Sequence, residues 1–130
     1  MVDLSSLLLG HRLDDVVKLD YTWQFVFSDG VSLQVGCLWR LVVAGKLTLT
    51  SEDHGHQFGL PAPVDCVVEL RREIVGAAVG DLKVRAGTID ITLAFGSGRT
   101  LEVIPTSAGY EAWKVSAPGV YMVGNPGYED

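Results

Sequence analysis

Cysteine, histidine and basic residues are all scarce in this chain of 130 residues. It holds 2 cysteines, 3 histidines and 10 lysines and arginines, against 16 acidic residues. Two isolated cysteines argue against the disulfide framework of a small secreted domain, and a net charge of −6 repels a phosphate backbone. The balance therefore disfavours a nucleic-acid partner and favours a basic protein partner.

Long hydrophobic runs are also missing. The apolar stretch near the N-terminus, Leu7–Leu9, is far too short for a signal peptide or a membrane span, and no basic residue precedes it. We therefore expect a cytoplasmic protein with no membrane association. Cys37 and Cys66 lie in apolar segments, which predicts two buried free thiols, although a disulfide between them stays open as an alternative.

An internal repeat runs through most of the chain. Phe27–Val35 and Phe95–Val103 share a phenylalanine, a glycine turn and a closing Leu-x-Val pattern. Three further pairs follow the same order: Gly10 with Gly76, 23–25 with 91–93, and 39–41 with 113–115. The pattern predicts a single domain over 1–130 that contains one unit twice, at about 3–50 and 63–123, joined by a loop over 51–62.

Within each unit the apolar residues alternate along the chain. Tyr21, Trp23, Phe25 and Phe27 occupy every second position in the first copy, and the stretch 89–95 repeats this in the second. Such alternation is typical of half-buried antiparallel strands. The Asp-Gly at 29–30 and the Ser-Gly at 97–98 then form the tight turns between strands.

A helix is predicted between the two copies. Pro63 suits a first helical turn, Gly76 suits the C-terminal stop, and a stripe of apolar residues lies between them: Val64, Val67, Val68, Ile74 and Val75. The shorter stretch 4–9 is the matching helix of the first copy. The predicted fold class is α+β and β-rich, with two tandem helix-plus-four-strand units packed as antiparallel sheets under one or two covering helices.

The connection after the first copy is polar and carries two of the three histidines. Imidazole and carboxylate groups are ligands for zinc and related ions, so Asp53, His54 and His56 form a candidate metal site. The alternative is a solvated loop, because no third distant ligand and no recognised metal motif accompanies them. No cofactor and no catalytic residue is predicted.

The same region and one later stretch hold the candidate partner-binding residues. They are Glu52, Asp53, His54, Phe58 and Tyr110. Phe58 has the character of an aromatic anchor, or alternatively its segment steers the chain into the helix. Trp113 is expected in the core as the counterpart of Trp39, and the glycine-rich tail over 123–130 is expected to fray.

A resemblance to a known family rests on four short stretches. The chain has Leu9-Gly10 near its start, the Asp29-Gly30 turn, the run Tyr110-Glu111-Ala112-Trp113, and a glycine-rich tail over 124–127. In these it resembles a family of small bacterial domains of unknown function with duplicated β units. The resemblance implies, by analogy, an immunity-type protein that neutralises a toxin, and it brings no catalytic residues. The insertion over 52–63 departs from the family pattern.

Three functions follow as expectations. The first is a non-enzymatic protein-binding domain, because no phosphate-binding loop, nucleophile elbow or other reactive motif is present. The resemblance implies, by analogy, that its concrete form is an immunity-type inhibitor of a basic partner. The second is a metal-dependent hydrolase or small-ligand-binding protein that uses the histidine loop over 53–56. The third is a homodimer formed through an open sheet edge.

Overall fold

A computed structural model describes residues 3–125 of the chain. Over this range the chain forms two α-helices and ten β-strands. Their bounds, in chain order, are α1 (Leu4–Leu8), β1 (Leu13–Lys18), β2 (Trp23–Phe27), β3 (Ser32–Val35), β4 (Leu38–Val43), β5 (Lys46–Thr50), α2 (Cys66–Glu73), β6 (Asp81–Val84), β7 (Ile91–Gly96), β8 (Arg99–Ile104), β9 (Trp113–Ala117) and β10 (Val120–Gly124).

The strands form two five-stranded antiparallel sheets. Their orders are β1-β2-β3-β9-β10 and β5-β4-β8-β7-β6. The predicted α+β, β-rich class is confirmed, but each half holds five strands after its helix, where the sequence predicted four. Each half also gives its last two strands to the sheet that the other half begins, so the halves exchange strands.

The two sheets share the same pairing register where strands of different halves meet. β3 meets β9 with Val35 opposite Trp113, and β8 meets β4 with Val103 opposite Trp39. Trp39 and Trp113 therefore occupy equivalent places, each opposite the closing valine of a Leu-x-Val strand. The two tryptophans are buried, as expected for core residues.

The core lies between the sheets and is apolar. Among residues 3–125, no polar or charged side chain is buried. Trp39 of one sheet meets Trp23 and Phe25 of the other edge to face, with ring centroids 5.2 and 6.3 Å apart. Such aromatic pairs add about 0.5–1.5 kcal/mol beyond the burial of area. Tyr21 does not share this face, contrary to the prediction: it precedes β2 and is 92% exposed.

The inter-repeat helix is shorter than predicted. It begins at Cys66 and not at Pro63, because the Asp65 side chain accepts from the backbone N–H groups of Val67 and Val68 and so caps the first turn. Its buried face repeats every fourth residue, at Cys66, Leu70 and the following Ile74. Val68, predicted on the buried stripe, is 46% exposed.

Each helix packs beside the first strand of the opposite half, α2 on β1 and α1 on β6. Arg71 of α2 donates to the Asp15 carboxylate of β1 at 2.8 Å, and this contact holds the pKa of Asp15 below its ordinary value. An antiparallel bridge joins Arg12 to Ala78 where the halves meet. The exchange therefore includes the helices as well as the strands.

The tail prediction needs a partial correction. Val123 and Gly124 belong to β10 and pair with Lys114 and Trp113 of β9. Residues 126–130 of the predicted frayed tail lie outside the described residues.

Candidate partner-binding end

The two ends of the sandwich carry different kinds of connection. At one end the strands are joined by short turns, at 28–31, 44–45, 97–98 and 118–119. At the other end lie the connections 19–22, 36–37, 85–90 and 105–112, which together we call the loop end. Loops at the end of a rigid sandwich are common positions for binding residues.

One connection at the loop end breaks the internal repeat. β3 joins β4 through Gly36 and Cys37 alone, whereas the equivalent strands β8 and β9 are joined by 105–112. The long connection is held at its base, where the Gly36 N–H donates to the Ala112 carbonyl at 2.8 Å and the Ala112 N–H donates to the Gly124 carbonyl at 2.8 Å. The long connection 105–112 occurs in one copy only, so the packing of the two sheets does not require it.

The added connection lines a groove. Two neighbouring hollows share Gly36, Glu111 and Ala112, and a third lies where 105–108 faces 87–88. Thr22 and Gln34 form part of the wall of the first hollow, and Tyr110 forms part of the wall of the second. The groove thus crosses the loop end from sheet to sheet.

The groove itself is lined by one carboxylate, Glu111, and one cation, Lys114. Four acidic residues lie at or beside the loop end, namely Asp20, Glu52, Asp90 and Glu111, and within residues 3–125 none of them forms an ion pair. Four cations lie in the same connections and at their borders: Lys18, Lys83, Arg85 and Lys114. Elsewhere five arginines are each paired with a carboxylate: Arg12, Arg40, Arg71, Arg72 and Arg99.

Two tyrosines protrude at the same end. Tyr110 is 78% exposed and Tyr21 is 92% exposed. A tyrosine in water gains by burial against a partner, because its ring is apolar and its hydroxyl group still forms hydrogen bonds. Sequence reasoning proposed Tyr110 as a partner-binding residue, whereas the alternating pattern assigned Tyr21 to the core.

The histidine loop is largely built into the fold. His54 accepts a hydrogen bond at Nδ1 from the Cys66 N–H at 3.1 Å, and its ring meets Trp23 edge to face at 5.2 Å. The Asp53 carboxylate accepts from the Thr50 N–H at 2.9 Å. Over residues 3–125, no group of three or more His, Cys, Asp or Glu side chains is placed to hold a metal ion. The metal site stays a prediction, and two of its three residues already have partners.

The remaining candidates of this loop point outward. Glu52 is exposed in the 3₁₀ turn 51–53, near the loop end. Phe58, 67% exposed, stacks on His56 with centroids 5.5 Å apart. It sits in a tight turn, in which the Leu60 N–H donates to the carbonyl of Gln57, with φ of +50°. A bulky residue with positive φ is strained by about 1–3 kcal/mol, and Ile89 at the loop end has the same kind of backbone conformation, with φ of +58°.

The two thiols are free and protonated near neutral pH. Burial, with Asp90 beside it, raises the pKa of Cys37 to about 12. Burial also raises the pKa of Cys66 to about 12, together with Asp53 and Asp65. A protonated thiol is a poor nucleophile, so neither cysteine is activated for nucleophilic catalysis.

No protein-family model, curated protein or solved structure matches the chain. The resemblance to the family of small bacterial domains therefore stays a prediction. Neither helix of the described chain has the length and apolar character needed to cross a membrane.

Proposed function

We propose that this protein is a non-enzymatic binding domain whose loop end binds a basic protein partner. One observation carries the proposal: the connection 105–112, which the repeat does not contain, presents exposed Tyr110 and the carboxylate of Glu111, which forms no ion pair within residues 3–125, and exposed Tyr21 lies at the same end. The carboxylates attract a cationic surface over a distance, and the tyrosines supply contact area once it arrives.

The specific form of the proposal is an immunity-type inhibitor that acts in the cytoplasm. An enzyme that cleaves or transfers phosphate esters has a cationic active site, and an acidic surface of matched shape can cover it. Two free cysteines in a folded chain suit a reducing compartment. The groove beside Glu111 gives the partner's side chains a place to enter, and Tyr110 forms its rim.

The test is capture of the partner by the tagged protein from the native host's lysate, at low and high salt, with two variants. Glu111→Lys reverses a charge in the groove, and Asp81→Lys reverses one at the other end of the sandwich, on β6. Both change the net charge equally. We expect a stoichiometric basic protein that is released as salt rises, and whose affinity falls at least about tenfold in Glu111→Lys alone.

The inhibitor form has its own readout. A captured enzyme should lose activity when the protein is added in equimolar amount, and Tyr110→Ala should weaken that inhibition. A partner that keeps full activity would limit the protein to simple binding. Equal loss of capture in Glu111→Lys and Asp81→Lys would reject the loop end as the binding surface.

A further inference from the structure

One hollow of the loop-end groove is polar and carries a single carboxylate. Its volume is about 180 Å³, and no lysine, arginine or histidine lines it. We call it the Tyr110 hollow. Its lining includes Gly36, Cys37, Thr106, Ser107, Tyr110 and Glu111.

The negative charge at the Tyr110 hollow is not neutralised by the chain itself. Glu111 forms no ion pair within residues 3–125, and Lys114 lines the neighbouring hollow and not this one. A second carboxylate lies close by, because burial raises the pKa of Cys37 and the charge of Asp90 raises it further. Asp90 forms no ion pair over the same range. A cation that enters the hollow therefore meets uncompensated negative charge.

The same wall offers several hydrogen-bond acceptors. The Ser107 hydroxyl oxygen accepts from the Gly109 N–H at 3.1 Å and keeps a second lone pair. Within residues 3–125, no hydrogen bond engages the side chains of Thr106 and Tyr110. A ligand with several donors can thus find several partners in this hollow.

This lining disfavours the other classes of ligand. An anion meets no cation in the wall. A divalent metal ion lacks ligands, because no group of three His, Cys, Asp or Glu side chains is placed to hold one among residues 3–125. An apolar group would cover the carboxylate and the hydroxyl groups without satisfying them, which is costly. The class that remains is an organic cation.

The choice between the two cationic side chains follows from Tyr110. Its ring belongs to the wall and is 78% exposed, so it is open to stacking. A guanidinium group is planar, stacks on aromatic rings and presents its N–H donors in a fork that matches a carboxylate. An ammonium group is a compact and strongly hydrated charge without that fork. A ring and a carboxylate side by side in one wall therefore favour arginine.

We propose that the Tyr110 hollow receives an arginine side chain of the partner, with its guanidinium group paired with the Glu111 carboxylate and stacked on the Tyr110 ring. The inference rests on the proposed function for the existence of a basic partner. It adds which side chain of that partner is bound, and where.

The experiment uses a small probe and needs no natural partner. The probe is Nα-acetyl-arginine amide, titrated into the ¹⁵N-labelled full chain and followed by NMR. We expect saturable shifts of the amide signals of Cys37, Thr106 and Glu111, with half-saturation at millimolar concentration because the probe is small. Nα-acetyl-lysine amide should bind at least about threefold more weakly. Nα-acetyl-citrulline amide has the shape of the probe without its charge and should not saturate.

Matched variants locate the probe. Glu111→Gln keeps the shape of the side chain, removes its charge and should weaken binding at least about fivefold. Tyr110→Leu removes the ring and should weaken binding about twofold or more. Asp81→Asn removes one negative charge on β6, outside the loop end, and should leave binding unchanged.

Three outcomes overturn the inference. They are no saturable shift up to the solubility limit of the probe, equal binding of the citrulline derivative, and equal effects of Glu111→Gln and Asp81→Asn. Equal binding of the lysine derivative would overturn the assignment to arginine.

Failure of this inference and failure of the proposed function give different results. If Glu111→Lys abolishes partner capture but the arginine derivative does not bind, the proposed function stands and the Tyr110 hollow fails. If the arginine derivative binds as expected but no partner is captured at either salt concentration, the hollow stands as an arginine site and the proposed function fails.

Discussion

Replacing Gly124 with alanine tests how the last strand closes the first sheet. Gly124 of β10 is the Cα partner of Trp113 on β9 and is buried beneath its indole ring. A Cβ atom added at position 124 would lie 2.3 Å from Cε2 of Trp113 and 2.6 Å from two further ring atoms. Atoms do not approach this closely, so either the ring or the strand has to move.

The ring has little freedom to move. Trp113 is 5% exposed, and its Nε1–H donates to the Ile89 carbonyl at 3.0 Å, a bond that a rotated ring would lose. Overpacking of a core costs about 1–3 kcal/mol, and a lost hydrogen bond costs about 1 kcal/mol. About 0.5–1 kcal/mol of this cost is offset, because glycine loses more backbone entropy than alanine when it is fixed in a strand. We therefore expect Gly124→Ala to lower the free energy of unfolding by about 2 kcal/mol.

Urea unfolding measures this value. The midpoint should fall by about 1 M with little change in slope. Gly109→Ala is the matched control, because a Cβ there meets only the Ser107 hydroxyl oxygen, at 4.0 Å. In a double-mutant cycle, Trp113→Leu should remove most of the penalty at position 124. A Gly124→Ala protein as stable as the Gly109→Ala control would refute the reasoning.

Further expectations concern the histidine loop, the start of α2 and the buried thiol. His54→Ala should lower the free energy of unfolding by about 1–2 kcal/mol, because the Cys66 N–H loses its acceptor. His56 is exposed, so His56→Ala should change the free energy of unfolding by no more than about 0.5 kcal/mol. Equal effects of the two substitutions in urea unfolding would contradict this. Calorimetric titration with zinc should show no stoichiometric binding. Stoichiometric binding that is lost in the His54 and His56 variants would instead support the hydrolase alternative. Asp65→Ala should cost about 0.5–2 kcal/mol by removing the helix cap, measured by thermal unfolding, and an unchanged midpoint would contradict the capping role. The pKa of Cys66 rises from its ordinary value of 9.0 to about 12 on folding, so the unfolded chain releases this proton first and stability falls as pH rises above about 9. Cys66→Ala should remove part of that fall in a pH series of urea midpoints, because Cys37, with its pKa raised in the same way, contributes the rest; an identical pH dependence would count against it.

Much of the fold follows from local patterns in the sequence. Alternation over 23–27 and 91–95 predicts strands because a strand presents every second side chain to the core, and both stretches form β-strands with that burial. The turns around Asp29 and Ser97 also appear where expected, each residue with positive φ next to a glycine with positive φ. These features depend only on near neighbours in the chain.

The features that sequence reasoning missed depend on distant neighbours. Alternation does not say which strand pairs with which, so the exchange of strands between halves had no local signal. Tyr21 continues the apolar pattern of its strand but lies past the point where β1 and β2 stop pairing, at Lys18 and Trp23. Helix α2 starts where Asp65 caps it, although Pro63 had equally suitable chemistry.

The candidate site was predicted in part for the same reason. Glu52 was proposed from the polar segment after the first copy and Tyr110 from the aromatic run before Trp113, and both are exposed at or near the loop end. Asp53 and His54 share that composition, yet they fold inward toward Thr50 and Cys66. The placement of His54 depends on where α2 begins, because its partner Cys66 lies twelve residues farther along the chain.

The exchange of strands also bears on how the protein is made. When a ribosome has released only the first half, β3 lacks β9 and β4 lacks β8, so neither sheet can be completed and two apolar strands stand without their neighbours. Folding therefore waits for almost the whole chain and depends on contacts between residues far apart in sequence, which slows it. A cut in the exposed turn at 57–60 would leave two fragments that each supply strands to both sheets, so we expect the two fragments to stay associated without a covalent link.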